Sequence, residues 1–124
     1  MSKINCKVWN RDFNLDVIYD VYKGESVTET QKVAFDSFQK NIGSLLMDSS
    51  KISDYCLKQN KEDIPNGTIE NIFKYVIPQK IYVCRGNKRK VALLCAYKFD
   101  PEHGIAVVFE NEKLVTIGQQ DIVL

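Results

Sequence analysis

The sequence has one histidine, and its four cysteines, Cys6, Cys56, Cys84 and Cys95, lie far apart. No two of them make Cys-x-x-Cys, which excludes a zinc ribbon and a thioredoxin-like redox motif. Each sits among apolar neighbours and reads as a buried, reduced thiol. The six glycines are isolated from one another, so no Gly-rich loop is present to cradle a phosphate. Asp-x-Asp and His-x-x-Glu spacings are missing too, and neither a metal nor a cofactor is expected. No apolar run approaches the ~20 residues needed to span a bilayer. Lys3, Asn5 and Lys7 interrupt any signal-peptide core near the start, so the expected location is the cytoplasm, with no membrane partner. The net charge of +1 names no partner, and its distribution along the chain is too even to argue for nucleic acid.

What is present reads as one α+β domain over 1–124, with an apolar fraction of 44 %, enough for a single core. Ile4, Cys6 and Val8, then Phe13, Leu15, Val17, Tyr19 and Val21, alternate with polar residues. That period of two predicts an N-terminal β-hairpin with one buried face. A two-residue loop on Arg11 and Asp12 would set Lys7 opposite Asp16 and Lys3 opposite Asp20. Helical spacing begins at Thr28, which with Gln31 forms a capping box. Ala34, Phe35, Phe38 and Ile42, then Leu45, Ile52, Tyr55 and Cys56, predict helices over 28–41 and 45–59, or one kinked helix. A third, short helix is expected over 68–76, stopped by Pro78. The remainder predicts strands at 80–85, 89–99, 105–110 and 113–117, and a last one at 121–124. Their short connections imply a four- to five-stranded antiparallel C-terminal sheet. Residues 91–96 are apolar on both faces, as a central strand covered on both sides requires.

Few residues suggest chemistry. His103 lies in Asp100-Pro101-Glu102-His103-Gly104, where Glu102 or Asp100 would orient it as a general base. The same five residues are good turn chemistry, Pro fixing its φ and Gly accepting a positive one. Arg85, Lys88, Arg89 and Lys90 surround a hairpin tip. They form the footprint of a phosphate-binding patch, or simple protection of a sheet edge. Most of the tyrosines fall at apolar phases and read as core. Trp9, on the polar side of its strand, reads as a binding anchor or as a cap over the sheet edge.

The segment Phe99-Asp100-Pro101-Glu102-His103-Gly104-Ile105-Ala106-Val107-Val108-Phe109, followed by Ile117-Gly118-Gln119-Gln120-Asp121, carries a resemblance. It is similar to a family of small bacterial proteins whose C-terminal hairpin reads aromatic-Asp-x-Glu-His-Gly-(Leu/Ile)-(Gly/Ala)-Val-x-Phe and then Val-Gly-x-x-Asp. Thr28-Glu29-Thr30-Gln31 and Tyr55 extend the likeness upstream, while residues 1–27 lie outside it. Phe99 stands where tryptophan is usual. Such proteins are encoded beside polymorphic or contact-dependent toxins and are presumed immunity proteins. The resemblance therefore implies a non-enzymatic antitoxin that occludes a cognate toxin protein. Trp9, Asp12, Asp16, Asp20, Glu102 and His103 are the candidate partner-binding residues. The acidic set, with Glu25 and Glu29, suits a basic nuclease toxin, and the 85–90 tip suits an acidic partner. Two alternatives stand beside it: a small hydrolase or ligand-binding domain using Glu102 and His103, and a housekeeping interaction module. Oligomeric state is not legible.

Overall fold

The computed structural model describes residues 2–124. The N-terminal alternation forms β1 (Ser2–Val8) and β2 (Arg11–Tyr19), an antiparallel hairpin with Leu15 and Val17 turned inward. Its register differs from the expected one. The turn falls on Trp9 and Asn10, whose φ angles of 49° and 70° are the two positive values a type I′ turn demands. Lys3 therefore faces Asp16 and Lys7 faces Asp12, with Nζ–Oδ1 distances of 3.3 and 4.0 Å. The reason lies in the spacing. The two lysines are four residues apart, as are Asp12, Asp16 and Asp20. A slip of four preserves every inward side chain and still sets each lysine against an aspartate. Alternation settles the face; only the turn, where Asn10 tolerates left-handed backbone, settles the register.

The helical region follows as α1 (Glu29–Lys40), a single turn α2 (Ile42–Leu45) and α3 (Ser50–Asn60). At the start of α1, Gln31 N–H donates to Thr28 Oγ1 at 3.1 Å, and Gln31 Oε1 accepts from Thr28 N–H at 3.0 Å. Gln31 is fully buried, and its Nε2 donates to the carbonyls of Asp20, at 2.8 Å, and Val83, at 3.2 Å. One side chain thus caps the helix and ties it to two strand ends.

Short 3₁₀ turns (Lys61–Asp63, Pro65–Gly67 and Ile72–Lys74) lead into β3 (Val76–Val83). The helix expected over 68–76 is reduced to the last of these turns, and the strand starts early. Val76 and Ile77 are β-branched, and Pro78 is accommodated inside β3 at a bulge, before the stretch that pairs with β2. Then come β4 (Lys90–Tyr97), β5 (Ile105–Glu110) and β6 (Lys113–Gly118). The strand expected at 121–124 is instead a 3₁₀ turn, Gln120–Ile122, folded back beyond β6.

All six strands form one sheet in the order β1-β2-β3-β4-β5-β6, antiparallel except for β2 and β3. The expected separate hairpin and smaller, wholly antiparallel sheet are thereby corrected. Short loops force antiparallel neighbours, but the helical connection between β2 and β3 is long enough to carry the chain back for a parallel pairing. The inner face of the sheet packs against the helices, with Phe38 of α1 against Phe109 of β5 at 5.4 Å between ring centroids. On the other face Ala92, Leu94, Ala106 and Val108 are also buried, with Tyr82 and Val123 packed over them. β4 is thus covered on both sides, as its composition implies. Among the described residues no helix is long and apolar enough to cross a membrane.

Candidate functional site

The register places the Trp9–Asn10 turn and the β4–β5 loop at one end of the sheet, and the 85–90 tip at the other. The β4–β5 loop is closed by a set of hydrogen bonds. His103 Nδ1 lies 3.0 Å from Asp100 Oδ1, and Gln119 Nε2 donates to Asp100 Oδ2 at 3.0 Å. Asp100, rather than Glu102, therefore orients the ring; Glu102 is exposed. Hydrogen bonds from His103 hold the Asp100 carboxyl below the usual carboxylate range, and the same contact raises His103.

Gly104 completes the lock at φ 59°, where a Cβ would stand 2.6 Å from the Cys95 carbonyl oxygen. Gln120 crosses the same spot, its Nε2 donating to the Cys95 carbonyl at 3.0 Å and its backbone N–H to the His103 carbonyl at 3.0 Å. Both the glycine and the held histidine agree with the turn reading of this segment.

Beside this loop lies an open cleft of about 190 Å³ lined by Tyr55, Gln59 and Asn60 of α3, by Tyr97, Phe99, Asp100 and Gly104, and by Gln119. The helical period brings Tyr55 and Gln59 to one side of α3. Tyr97 Oη donates to Asn60 Oδ1 at 2.7 Å, and Asn60 Nδ2 donates to Asp63 at 3.2 Å. The Tyr97 ring meets Phe99 edge-on, 5.6 Å between centroids at 88°, and Tyr55 at 6.4 Å. Burial, and then the Cys56 thiol, push the Tyr97 phenol above its ordinary range. Burial likewise pushes the Cys56 and Cys84 thiols up to about 11, and raises Cys6 and Cys95, so near neutral pH they are protonated and poor nucleophiles. All four are free thiols. Among the described residues no three His, Cys, Asp or Glu side chains gather where one metal ion would sit.

The structure does not bring the candidate partner-binding residues together. Trp9 is 8 % exposed, with its ring against Phe73 at 5.9 Å and its backbone N–H donating to the Leu46 carbonyl at 2.7 Å. It is a core residue, not an exposed anchor, because the turn redirects it from the polar phase of the strand. Asp12 and Asp16 lie on the solvent face of the hairpin. Asp20 belongs to the opposite end, where it meets Arg85 at 3.6 Å.

Arg85 also reaches Glu25 at 3.5 Å and stacks 3.2 Å over the Tyr22 ring. Arg89 holds Glu112 through two bonds of 2.9 and 3.1 Å, and Lys88 lies 3.8 Å from Glu110. The basic tip is thus largely neutralised by its own carboxylates. Sequence reasoning missed Gln119, Asn60 and Asp63, which approach the loop only through tertiary folding and leave no local signal.

Four exposed apolar side chains belong to the edge strand β6 and the stretch after it. Leu114 and Val115 of β6 are 40 % and 49 % exposed, and Ile122 and Leu124 beyond it are 45 % and 66 %. β6 pairs only with β5, and Val115 is the extra residue of a bulge between the Thr116–Val108 and Leu114–Phe109 pairs. A family model described as a domain of unknown function, DUF6985, matches residues 1–124. No curated protein and no solved structure matches the chain.

Proposed function

The chain belongs to the DUF6985 family, and we propose that it is a protein-binding module, an immunity protein of the cytoplasm that neutralises a cognate toxin domain by stoichiometric occlusion. The observation that carries this reading is the apolar edge. Four large exposed side chains, Leu114, Val115, Ile122 and Leu124, fall within one short C-terminal stretch. Large exposed apolar side chains on a sheet edge support a protein contact there. The Val115 bulge suits it to side-chain contact rather than strand addition, since bulges interrupt edge pairing. The resemblance of the 99–121 segment to proteins encoded beside toxins supplies the kind of partner. Inhibition by coverage needs an interface of roughly 1,200–2,000 Å² in total, with a few buried anchors.

The reading is tested by co-expressing the chain with the toxin domain encoded beside it. Growth is restored and a one-to-one complex elutes on sizing, and Leu114→Glu with Val115→Glu abolishes both while the circular dichroism spectrum is unchanged. Unaltered toxicity with no complex rejects the reading.

A further inference from the structure

The helices pack on the inner face of the sheet, yet Ala92, Leu94, Ala106 and Val108 on the outer face are at most 4 % exposed. Their cover comes from Tyr82 of the sheet itself and from Val123. Val123 belongs to a strap, residues 119–124, that leaves the Gly118 end of β6 and folds back through the turn Gln120–Ile122. Val123 packs on the sheet, whereas its neighbours Ile122 and Leu124 are 45 % and 66 % exposed.

The strap is seated on the β4–β5 loop rather than held by strand pairing, which ends at Gly118 and Ala106. Gln120 N–H donates to the His103 carbonyl and Gln120 Nε2 to the Cys95 carbonyl, both at 3.0 Å. Gln119 Nε2 donates to Asp100 Oδ2 at 3.0 Å, while the other oxygen of that carboxylate faces His103. The seat is shaped for the Gln120 amide: a Cβ on Gly104 would stand 2.5 Å from Gln120 Nε2, so only glycine leaves it room. The strap's own turn bonds run back to these two glutamines. Ile122 N–H donates to the Gln119 carbonyl, and Val123 and Leu124 N–H donate to the Gln120 carbonyl. Fixing the glutamines therefore fixes the turn that carries Ile122 and Leu124.

We infer that Asp100, Gly104, Gln119 and Gln120 are positioning residues for the partner contact: they seat the strap and so hold Ile122 and Leu124 in place before the partner arrives. A six-residue segment held by one inward valine alone would have to be ordered on binding, and that ordering costs conformational entropy. A seat that orders it beforehand removes this cost from the association. His103, which faces the Asp100 carboxylate, belongs to the seat and not to the contact. The inference rests on the partner-binding reading above, but the seat itself is measurable without the partner.

The test is amide exchange on the whole chain, followed by binding to the toxin domain encoded beside it. Gln119→Ala with Gln120→Ala removes both side-chain bonds and leaves Val123 in place. Exchange at Ile122, Val123 and Leu124 speeds by roughly tenfold, while that in β3, β4 and β5 is unchanged. Affinity for the toxin falls about threefold or more, as the seated fraction falls. In a chain already carrying Ile122→Ala and Leu124→Ala the same two changes weaken binding no further, because they act only through those side chains. Asp100→Ala is the second variant: it keeps both glutamines, removes the acceptor of one, and speeds the same three amides. Unchanged exchange at 122–124 in both variants overturns the seat. Faster exchange with unchanged affinity, or a loss of affinity that persists without Ile122 and Leu124, overturns the positioning role and leaves the immunity reading intact. No complex with the parent chain overturns the immunity reading, and exchange alone then upholds or overturns the seat.

Discussion

Gln31 offers a sharp test of how the helices are fixed to the sheet. Its side chain makes three hydrogen bonds: it accepts from Thr28 N–H and donates to the Asp20 and Val83 carbonyls. Replacing it with methionine keeps the length and apolar volume but removes all three. A typical intramolecular hydrogen bond contributes roughly 0.5–1.5 kcal/mol, and a buried group left unpaired costs about 1–3 kcal/mol. Thr28 regains water, since it is near the surface, whereas the Val83 carbonyl loses one of its two donors and keeps only the Asp20 N–H, at 3.0 Å. The expected loss is therefore about 2–4 kcal/mol, read in urea unfolding as a lower midpoint at unchanged slope. Gln31→Glu separates the two roles. A carboxylate still accepts from Thr28 and keeps the helix cap, but it turns an acceptor toward two carbonyl oxygens. If the ties to the strands dominate, Gln31→Glu costs at least as much as Gln31→Met. Stability within about 0.5 kcal/mol of the parent would refute the argument and leave Gln31 as a helix cap only.

Gly104→Ala should cost at least about 1–2 kcal/mol from the left-handed backbone alone, and more because the added Cβ meets the Cys95 carbonyl; denaturant midpoints give the answer, and a neutral substitution would show the loop yields. The Asp100–His103 contact sets a pH dependence of stability. His103 is raised above its unfolded value of 6.5, so its contribution is fully present below pH ~6.5 and is lost as pH rises through its folded value. Asp100 is lowered, so its contribution is present above its unfolded value of 3.8 and is lost as pH falls through the folded one. Titration of the His103 ring protons in Asp100→Asn should return the ring toward its ordinary value; an unchanged curve would mean that the contact has no electrostatic content.

The parts of the fold that were legible in the sequence are those set by neighbours along the chain. The Thr28–Gln31 box marks the first helix within a residue, and two-residue or turn-like connections fix β4, β5 and β6 as antiparallel. The hairpin register was not legible, because a repeat of four in both lysines and aspartates makes two registers equivalent. Nor was the parallel β2–β3 pairing, which depends on where a long helical connection returns the chain. The start of β3 was hidden by apolar spacing at Ile69, Ile72, Phe73 and Val76 that suits a helix as well as a turn followed by a strand. At the site, the Asp100–His103 turn is local and was visible. Gln119, from beyond β6, and Tyr55 and Asn60, both from α3, converge on it from stretches distant in sequence, which no spacing rule reports.

The sequential order of the six strands has a kinetic consequence. Every neighbouring pair but one is joined by a short connection, so the meander from β3 to β6 closes its contacts with little loop entropy. Only the seam between β2 and β3, four residue pairs from Asp16–Lys80 to Tyr19–Val83, must wait for the helices to return the chain. The N-terminal hairpin is therefore expected to dock last and detach first, and amide exchange in β1 and β2 ahead of that in β3 to β6 is the measurement that checks it.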